Sequence, residues 1–380
     1  MMRTIEIGSS RGPTFPANQE VGRVSKGIRS ISKLALIILF IEIFLCPTLA
    51  TAQGAMQLQP VAGGLTGTQI GNNYYTSFGT MNALGIGTPG AGLTVAPLSN
   101  GALYFSQYQI VLSGLPTNHK ASVTAFVSTN FLHPAAEILQ NCPSTATCTS
   151  SGNYSAMSIS ALAPTPVIPS PGIGNATAIV GIGVFLPDNN GATAYTGSDT
   201  AAFTLTMTDL NTNLVVATAN VFLNSPAETV QNAVQLTLGT AAGGLTITPA
   251  SDYTTNFGNV NGLGIGPGSG LTTVSVAGGM VYSTPYLLNP AYSDFNSTGA
   301  TIKVALTTNF AHPAVLQMED AAASAGPFTQ IISTPVQITS VAADRSTITR
   351  YLGLFVSNAN GPGAFTGADS ASLTFTMTVP

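Results

Sequence analysis

Charged side chains are scarce in this chain of 380 residues, and tryptophan is absent. Only 6% of the residues are Asp, Glu, Lys or Arg, whereas ordinary soluble domains carry about 25%. Beyond residue 52, four basic side chains remain against eleven acidic ones. Nucleic-acid binding needs clustered Lys and Arg to displace counterions from phosphates. The composition therefore argues against a nucleic-acid partner and, for the same reason, against an anionic membrane surface.

Thr, Ser, Asn, Gln and Gly take the polar positions that charged residues usually occupy. A neutral, hydroxyl-rich surface repels copies of itself only weakly, so self-association is expected. Few titrating groups also predict that stability varies little with pH. Both properties suit an extracellular or wall-associated protein.

The first 52 residues read as a secretory signal peptide with a polar leader. Residues 34–45 form an apolar run preceded by four basic residues and followed by Ala50-Thr51-Ala52, which is the layout of a cleaved export signal. The run is shorter than a bilayer span requires. We expect cleavage after Ala52 and a secreted or cell-surface protein. The alternative is an N-terminal membrane anchor.

Two cysteines follow the signal segment, Cys142 and Cys148. An exported chain meets an oxidising compartment, so the pair is predicted to form a disulfide that holds a small local loop. A metal site would need more ligands, and the sequence has no His or acid cluster beside the pair.

The chain contains an internal duplication. The element Thr-Asn-Phe-x-His-Pro-Ala begins at Thr129 and again at Thr308, and Thr-Gly-x-Asp ends at Asp199 and again at Asp369. A repeat of this length indicates a duplicated domain rather than a solenoid unit. The predicted organisation is a signal segment at 1–52, a first domain at 53–224, a linker at 225–234 and a second domain at 235–380.

The local pattern predicts strands throughout both copies. Residues 203–208 and 373–378 alternate apolar residues with threonine, as half-buried antiparallel strands do. Short strands separated by Gly, Pro and Asn clusters predict an all-β protein of two tandem, homologous antiparallel β-sandwiches, immunoglobulin-like or jelly-roll-like. The pattern also allows one short helix at 314–325.

The two copies differ at their ends. The first continues into a further β-like run at 214–223, whereas the second stops at Pro380. We interpret this run as an interdomain connector or accessory edge strand. If instead it belongs to the first domain, the second domain lacks a strand and exposes an edge that can pair with other chains.

The candidate site residues are His133, His312, Asp199 and Asp369. An imidazole beside a carboxylate can act in acid–base chemistry, but zinc needs more protein ligands and no nucleophile motif lies nearby. A structural role is therefore the preferred interpretation. The turn Asp188-Asn189-Asn190-Gly191 offers oxygen ligands that could suit calcium, although its counterpart begins with Asn358.

Short motifs give a resemblance to a known class. Phe78-Gly79, a Gly-flanked Val95, tyrosine-rich strands and a closing Gly-x-Asp strand resemble secreted spore-coat-U or fimbrial-type β-sandwich modules. The resemblance implies an assembled surface protein and supplies no active site.

Three functions follow from these features. The first is a secreted structural or adhesive surface protein without catalytic activity or cofactor, whose partners are copies of itself or other cell-surface proteins. The second is an extracellular module that binds carbohydrate or calcium. The third is a hydrolase that uses His133 or His312. The first is our prediction.

Overall fold

The computed structural model describes residues 54–249, 252–360 and 363–380. The predicted signal segment at 1–52 lies outside the described residues, so its cleavage stays a prediction. Across the described ranges the chain consists of β-strands, loops and short 3-10 turns, which confirms the all-β prediction. In this part of the chain no helix is long and apolar enough to cross a membrane.

The strands of the N-terminal half are, in chain order, β1 (Ala55–Pro60), β2 (Gly67–Ile70), β3 (Asn73–Thr76), β4 (Thr80–Met81), β5 (Thr94–Leu98), β6 (Gly101–Ser113), β7 (Ala121–Thr129), β8 (Ile138–Cys142), β9 (Ser155–Ala156), β10 (Thr165–Ile173), β11 (Thr177–Pro187), β12 (Gly197–Asp209) and β13 (Leu214–Val230). One sheet has the order β1-β6-β11-β8-β9, with β5 also paired to β6. The other has the order β10-β7-β12-β13-β3-β2, with β4 paired to β13.

The strands of the C-terminal half are β14 (Ala233–Thr240), β15 (Thr248–Pro249), β16 (Tyr253–Thr254), β17 (Thr272–Val276), β18 (Gly279–Ser293), β19 (Ala300–Thr308), β20 (Leu316–Ala321), β21 (Thr329–Gln330), β22 (Val336–Ala342), β23 (Ile348–Ser357) and β24 (Ser372–Thr378). The order β14-β18-β23-β20-β21, with β17 on β18, repeats the first sheet of the N-terminal half. A three-stranded sheet, β22-β19-β24, repeats β10-β7-β12, and β15 pairs with β16 as β2 pairs with β3. The domain boundaries themselves stay a prediction.

The interpretation of 214–223 as a connector or edge strand is wrong. Strand β13 lies inside its sheet, antiparallel to β12 on one side and parallel to β3 on the other. It continues to Val230, so the first residues of the predicted 225–234 linker also belong to a strand. The reason is its apolar face: Ala219, Val221 and Leu223 are buried in the core, and an interior position satisfies backbone groups on both edges of the strand.

The short helix allowed by the sequence at 314–325 is also wrong, because β20 occupies Leu316–Ala321. Leu316 and Met318 are buried while Gln317 between them is not. This period of two, together with pairing to β23, outweighs the local helix propensity of the alanines that follow.

The core of the N-terminal half lies between its two sheets. Phe203, Leu205 and Met207 of β12 are each 0% exposed, and the threonines between them are only partly buried. The predicted disulfide joins Cys142 and Cys148, whose Cα atoms are 5.7 Å apart. Both cysteines are buried, and the bond closes the loop that follows β8.

Candidate functional site

The repeated histidine of the first half meets the repeated aspartate. His133 follows β7, and Asp199 lies near the start of the adjacent strand β12. Asp199 Oδ2 lies 3.3 Å from His133 Nδ1 and accepts the His133 backbone N–H at 3.0 Å, while Oδ1 accepts the N–H of Thr200 at 2.7 Å. Asp199 is 3% exposed, and its hydrogen bonds tie the turn after β7 to β12.

The second half repeats this arrangement. His312 Nδ1 lies 3.0 Å from Asp369 Oδ2. The Asp369 carboxylate also accepts the backbone N–H groups of Ala311, His312 and Ser370 at 2.8–3.0 Å. The N–H of Ala311, followed by the bond from the His312 ring, lowers the pKa of Asp369 to about 2. Such charge-assisted bonds hold the two turns together.

An aromatic ring completes each arrangement. Tyr195 stacks on His133 with ring centroids 3.8 Å apart, and Phe365 stacks on His312 at 3.7 Å. Each aromatic residue stands four positions before its aspartate, in the shared pattern aromatic-Thr-Gly-x-Asp. Our sequence analysis missed these rings, although an alignment of the two copies contains the signal.

The chemistry available at the two histidines is limited. Their side chains are 49% and 46% exposed, and each uses Nδ1 toward a carboxylate. Within the described part of the chain, no hydroxyl or thiol group lies within hydrogen-bond distance of either ring. A carboxylate–imidazole pair without a nucleophile to activate can anchor a loop, and this geometry favours the structural interpretation.

A third histidine pair was not predicted. His119 Nδ1 lies 2.7 Å from Asp209 Oδ2 and joins the β6–β7 turn to the end of β12. The hydrogen bond from His119 lowers the pKa of Asp209. The pair has no repeated counterpart, because Val379 stands at the position equivalent to Asp209, so the duplication gave no signal for it.

The candidate calcium turn contacts the second half. Asp188 Oδ2 accepts a hydrogen bond from Arg345 Nε at 2.6 Å. The neighbouring Asn190 donates to the carbonyl of Tyr292 and accepts from the N–H of Phe295. Among the described residues no three His, Cys, Asp or Glu side chains are grouped as metal ligands. Calcium binding stays a prediction, and the present role of the turn is to join the two halves.

The most informative feature is an unfilled strand position in the second half. In the first half β13 fills the place between β12 and β3, but no described strand follows β24. Within the described residues, β24 pairs only with β19. Its other edge, named here the acceptor edge, therefore leaves backbone donors and acceptors of Ser372–Thr378 without a neighbouring strand.

The side chains next to this position are incompletely covered. Leu373, Phe375 and Met377 are only partly buried, although their counterparts in β12 are fully buried. Tyr253 is 40% exposed where the equivalent Tyr74 is 4% exposed. Among the residues that the structure describes, the second half thus has the apolar lining of a sandwich and no strand in the place where β13 covers that lining in the first half.

No protein family model and no curated protein matches this chain. Solved structures give distant likenesses. The CupB6 tip adhesin of Pseudomonas aeruginosa is 10% identical with a TM-score of 0.28 over 86% of this chain and 94% of that one. The CsuC–CsuE chaperone–tip adhesion subunit complex of Acinetobacter baumannii is 7% identical with a TM-score of 0.28 over 72% and 91%.

A chaperone–tip adhesin complex of CFA/I fimbriae is 11% identical with a TM-score of 0.21 over 86% of this chain and 90% of that one. These three neighbours are fimbrial or pilus tip adhesins and chaperone complexes, in agreement with the fimbrial-type resemblance of the sequence. At these scores they carry no argument about what this chain does.

Proposed function

We propose that this chain is an exported, non-catalytic adhesive or structural subunit of a cell surface, and that its second half accepts a β-strand from another polypeptide. The observation that carries the proposal is the unfilled position beside β24, which β13 fills in the equivalent place of the first half. Exposed strand edges pair readily with other chains, and strand addition is a common mode of assembly.

Strand β13 defines what the accepted strand looks like. It runs antiparallel to β12 and parallel to β3, and places Val221 opposite Phe203. Val221 and Leu223 are 2% and 0% exposed, and full burial of such a side chain stabilises a fold by about 1.5–3 kcal/mol. The expected donor is therefore an extended segment with apolar residues at every second position, antiparallel to β24.

The surface chemistry agrees with a role in assembly. Thr374 and Thr376 face outward from β24 between its apolar residues, and the chain carries few charges to repel a partner. Copies of a neutral, hydroxyl-rich surface repel each other only weakly, so such a surface can associate without long-range attraction between opposite charges. The partner is a second copy of this chain or another cell-surface protein.

A peptide test addresses the strand position directly. A synthetic peptide of residues 214–224 is added to the full chain, and binding is followed by titration calorimetry and by hydrogen exchange at the amides of Ser372–Thr378. We expect saturable binding and slower exchange at the acceptor edge. The control peptide carries Val221→Asn and Leu223→Asn, which keeps backbone pairing but removes the apolar face.

Two results would overturn the proposal. The first is equal binding of both peptides, since the apolar lining would then be irrelevant. The second is strong protection of the β24 amides in the free chain with no change on peptide addition, because the edge would already be covered. Sedimentation of the full chain over a range of concentrations then separates a self-partner from a different protein.

A further inference from the structure

Two glutamates are completely buried at one end of the N-terminal half. Glu137 lies in the turn before β8, where its backbone N–H donates to the carbonyl of His133 at 3.1 Å. Glu228 lies near the end of β13, opposite Asp199 of β12. Both glutamates are 0% exposed. Lysine, arginine and glutamate are almost never fully buried unless they are paired, so two such carboxyl groups need an explanation.

The hydrogen bonds of the pair are incomplete. Glu228 Oε2 accepts the N–H of Phe78 at 2.8 Å and faces the hydroxyl of Ser77 at 3.5 Å. Glu228 Oε1 and both carboxyl oxygens of Glu137 have no hydrogen-bond partner among the described residues. An ionised carboxylate in such surroundings is far more costly than a protonated one.

The neighbouring groups do not offset a negative charge. Burial, followed by the charge of Asp199, raises the pKa of Glu137 to about 8. Burial also raises the pKa of Glu228 to about 8; the N–H of Phe78 opposes this rise, and the charge of Glu137 adds to it. The ring of His133 contacts Asp199 through Nδ1, at 3.3 Å from Oδ2. Tyr195 stacks on His133; burial, followed by the charges of Asp199 and Glu137, raises the pKa of its phenol, which supplies no positive charge.

Basic side chains lie elsewhere. Four remain after residue 52, and both arginines pair with aspartates: Arg345 with Asp188, and Arg350 with Asp320. The groups that raise or lower the pKa of the two glutamates include no lysine or arginine. A proton is therefore the species that can neutralise the pair.

We propose that Glu137 and Glu228 form a buried proton-binding pair. When the pair is protonated it holds the last residues of β13, from Glu228 to Val230, against the core, and when the pair is ionised it releases them. Three hydrogen bonds join the chain at Glu228 to the chain between Phe78 and Met81. The Phe78 N–H bonds the carboxylate of Glu228, the Thr229 N–H bonds the carbonyl of Gly79 at 2.9 Å, and the Gln231 N–H bonds the carbonyl of Met81 at 2.9 Å.

The sign of the pH dependence follows from the raised pKa values. We call the state with the end of β13 held against the core closed, and the state with that end released open. In the open state a glutamate ionises from about pH 4.5, whereas in the closed state it keeps its proton to about pH 8. Between these values opening releases a proton, so the closed state loses stability as pH rises. Each glutamate that ionises on opening makes the opening equilibrium about tenfold more favourable per pH unit. Below pH 4.5 the stabilisation is complete.

The pair is a property of the first half alone. Glu137 is replaced by Leu316 at the equivalent position of the second half, and no described strand of that half occupies the place of β13. The inference is independent of strand acceptance by β24.

Carboxyl titration in the full chain is the direct test. The sequence contains six glutamates, three of them after residue 52. Their 13C-labelled carboxyl resonances are therefore few enough to assign with E137Q and E228Q. We expect two coupled resonances to titrate well above pH 4.5, with E319Q as a control that leaves both unchanged. Titration of both near pH 4.5 would overturn the proposal. A large downward shift of the midpoints with added calcium would replace the proton by a cation and also overturn it.

Hydrogen exchange in the unsubstituted protein tests the mechanical consequence without relying on a variant that folds poorly. After correction for base catalysis, protection of the Phe78 and Thr229 amides is expected to fall at least about tenfold per pH unit between pH 5 and 8. The Asn220 amide, in the same strand but bonded to Asn72 at 3.0 Å, provides the internal control. An equal fall at Asn220 would mean global destabilisation and reject local release.

Discussion

Met207 and Met377 provide a matched measurement of how much a strand beside β12 or β24 contributes to stability. They occupy equivalent positions in β12 and β24, and they are the same residue type. Met207 is 0% exposed, whereas Met377 is only partly buried. The neighbouring strand β13 pairs Ala217 with Met207, and Met377 has no such neighbour in the described residues. Substitution of each by alanine should therefore have different costs.

The magnitudes follow from burial. Truncation of a fully buried methionine to alanine typically costs about 2–5 kcal/mol, including the cavity left behind. The cost scales with the apolar area removed from water, and a partly exposed side chain has less area to lose. Met207→Ala should lower the unfolding free energy of the first half by about 2–5 kcal/mol, and Met377→Ala that of the second half by about 1–2 kcal/mol.

Native-state hydrogen exchange separates the two halves. The slowest amides of β7 and β12 report the first half, and those of β19 report the second, because core strands exchange only on large-scale opening. The measurement is repeated with the peptide of residues 214–224 present at saturation. The cost of Met377→Ala should then rise toward that of Met207→Ala. Equal costs without peptide, or no rise with it, would refute the inference that a strand is missing beside β24.

Two further predictions concern the repeated turns and the disulfide loop. Asp369→Ala should lower the urea midpoint of the second half more than His312→Ala does, because the carboxylate accepts three backbone N–H groups and the imidazole contributes only one further bond. A larger loss for His312→Ala would contradict this order. Cys142→Ser should cost about 2 kcal/mol, since the bond closes a loop with a sequence separation of only 6 and short loops give the smallest entropic gain. If Cys142→Ser unfolded the first half completely, the disulfide would stabilise more than its local loop and this prediction would be wrong.

The strands could be predicted from the sequence because their signal is local. Alternating apolar residues and threonines in 203–208 and 373–378 indicate half-buried strands wherever those strands lie in the sheet. The place of a strand in its sheet is a different quantity, since it depends on partners far away in the chain. Strand β13 shows the difference: the sequence predicts a β-like run at 214–223, but the pairing of that run with β3, almost 150 residues earlier, has no local signal.

The pairing of His133 with Asp199 could be predicted from the sequence for another reason. Two copies of the same chain preserve both members of the pair, so the duplication itself pointed to them. The buried glutamates had no such signal. Glu137 has the local sequence of an exposed turn residue, although it is 0% exposed in the folded protein. The expectation of weak pH dependence rested on the small number of acids, but their surroundings determine their pKa values.

The two histidine arrangements together argue for a role that does not depend on chemistry. Tyr195 in one half is replaced by Phe365 in the other, so the phenolic hydroxyl is not a shared requirement. What both halves keep is the flat ring against the imidazole and the carboxylate that accepts backbone N–H groups. Both features fix the path of a turn between adjacent strands. A catalytic pair would need a third group within reach of the free imidazole nitrogen, and in the described residues neither half supplies one.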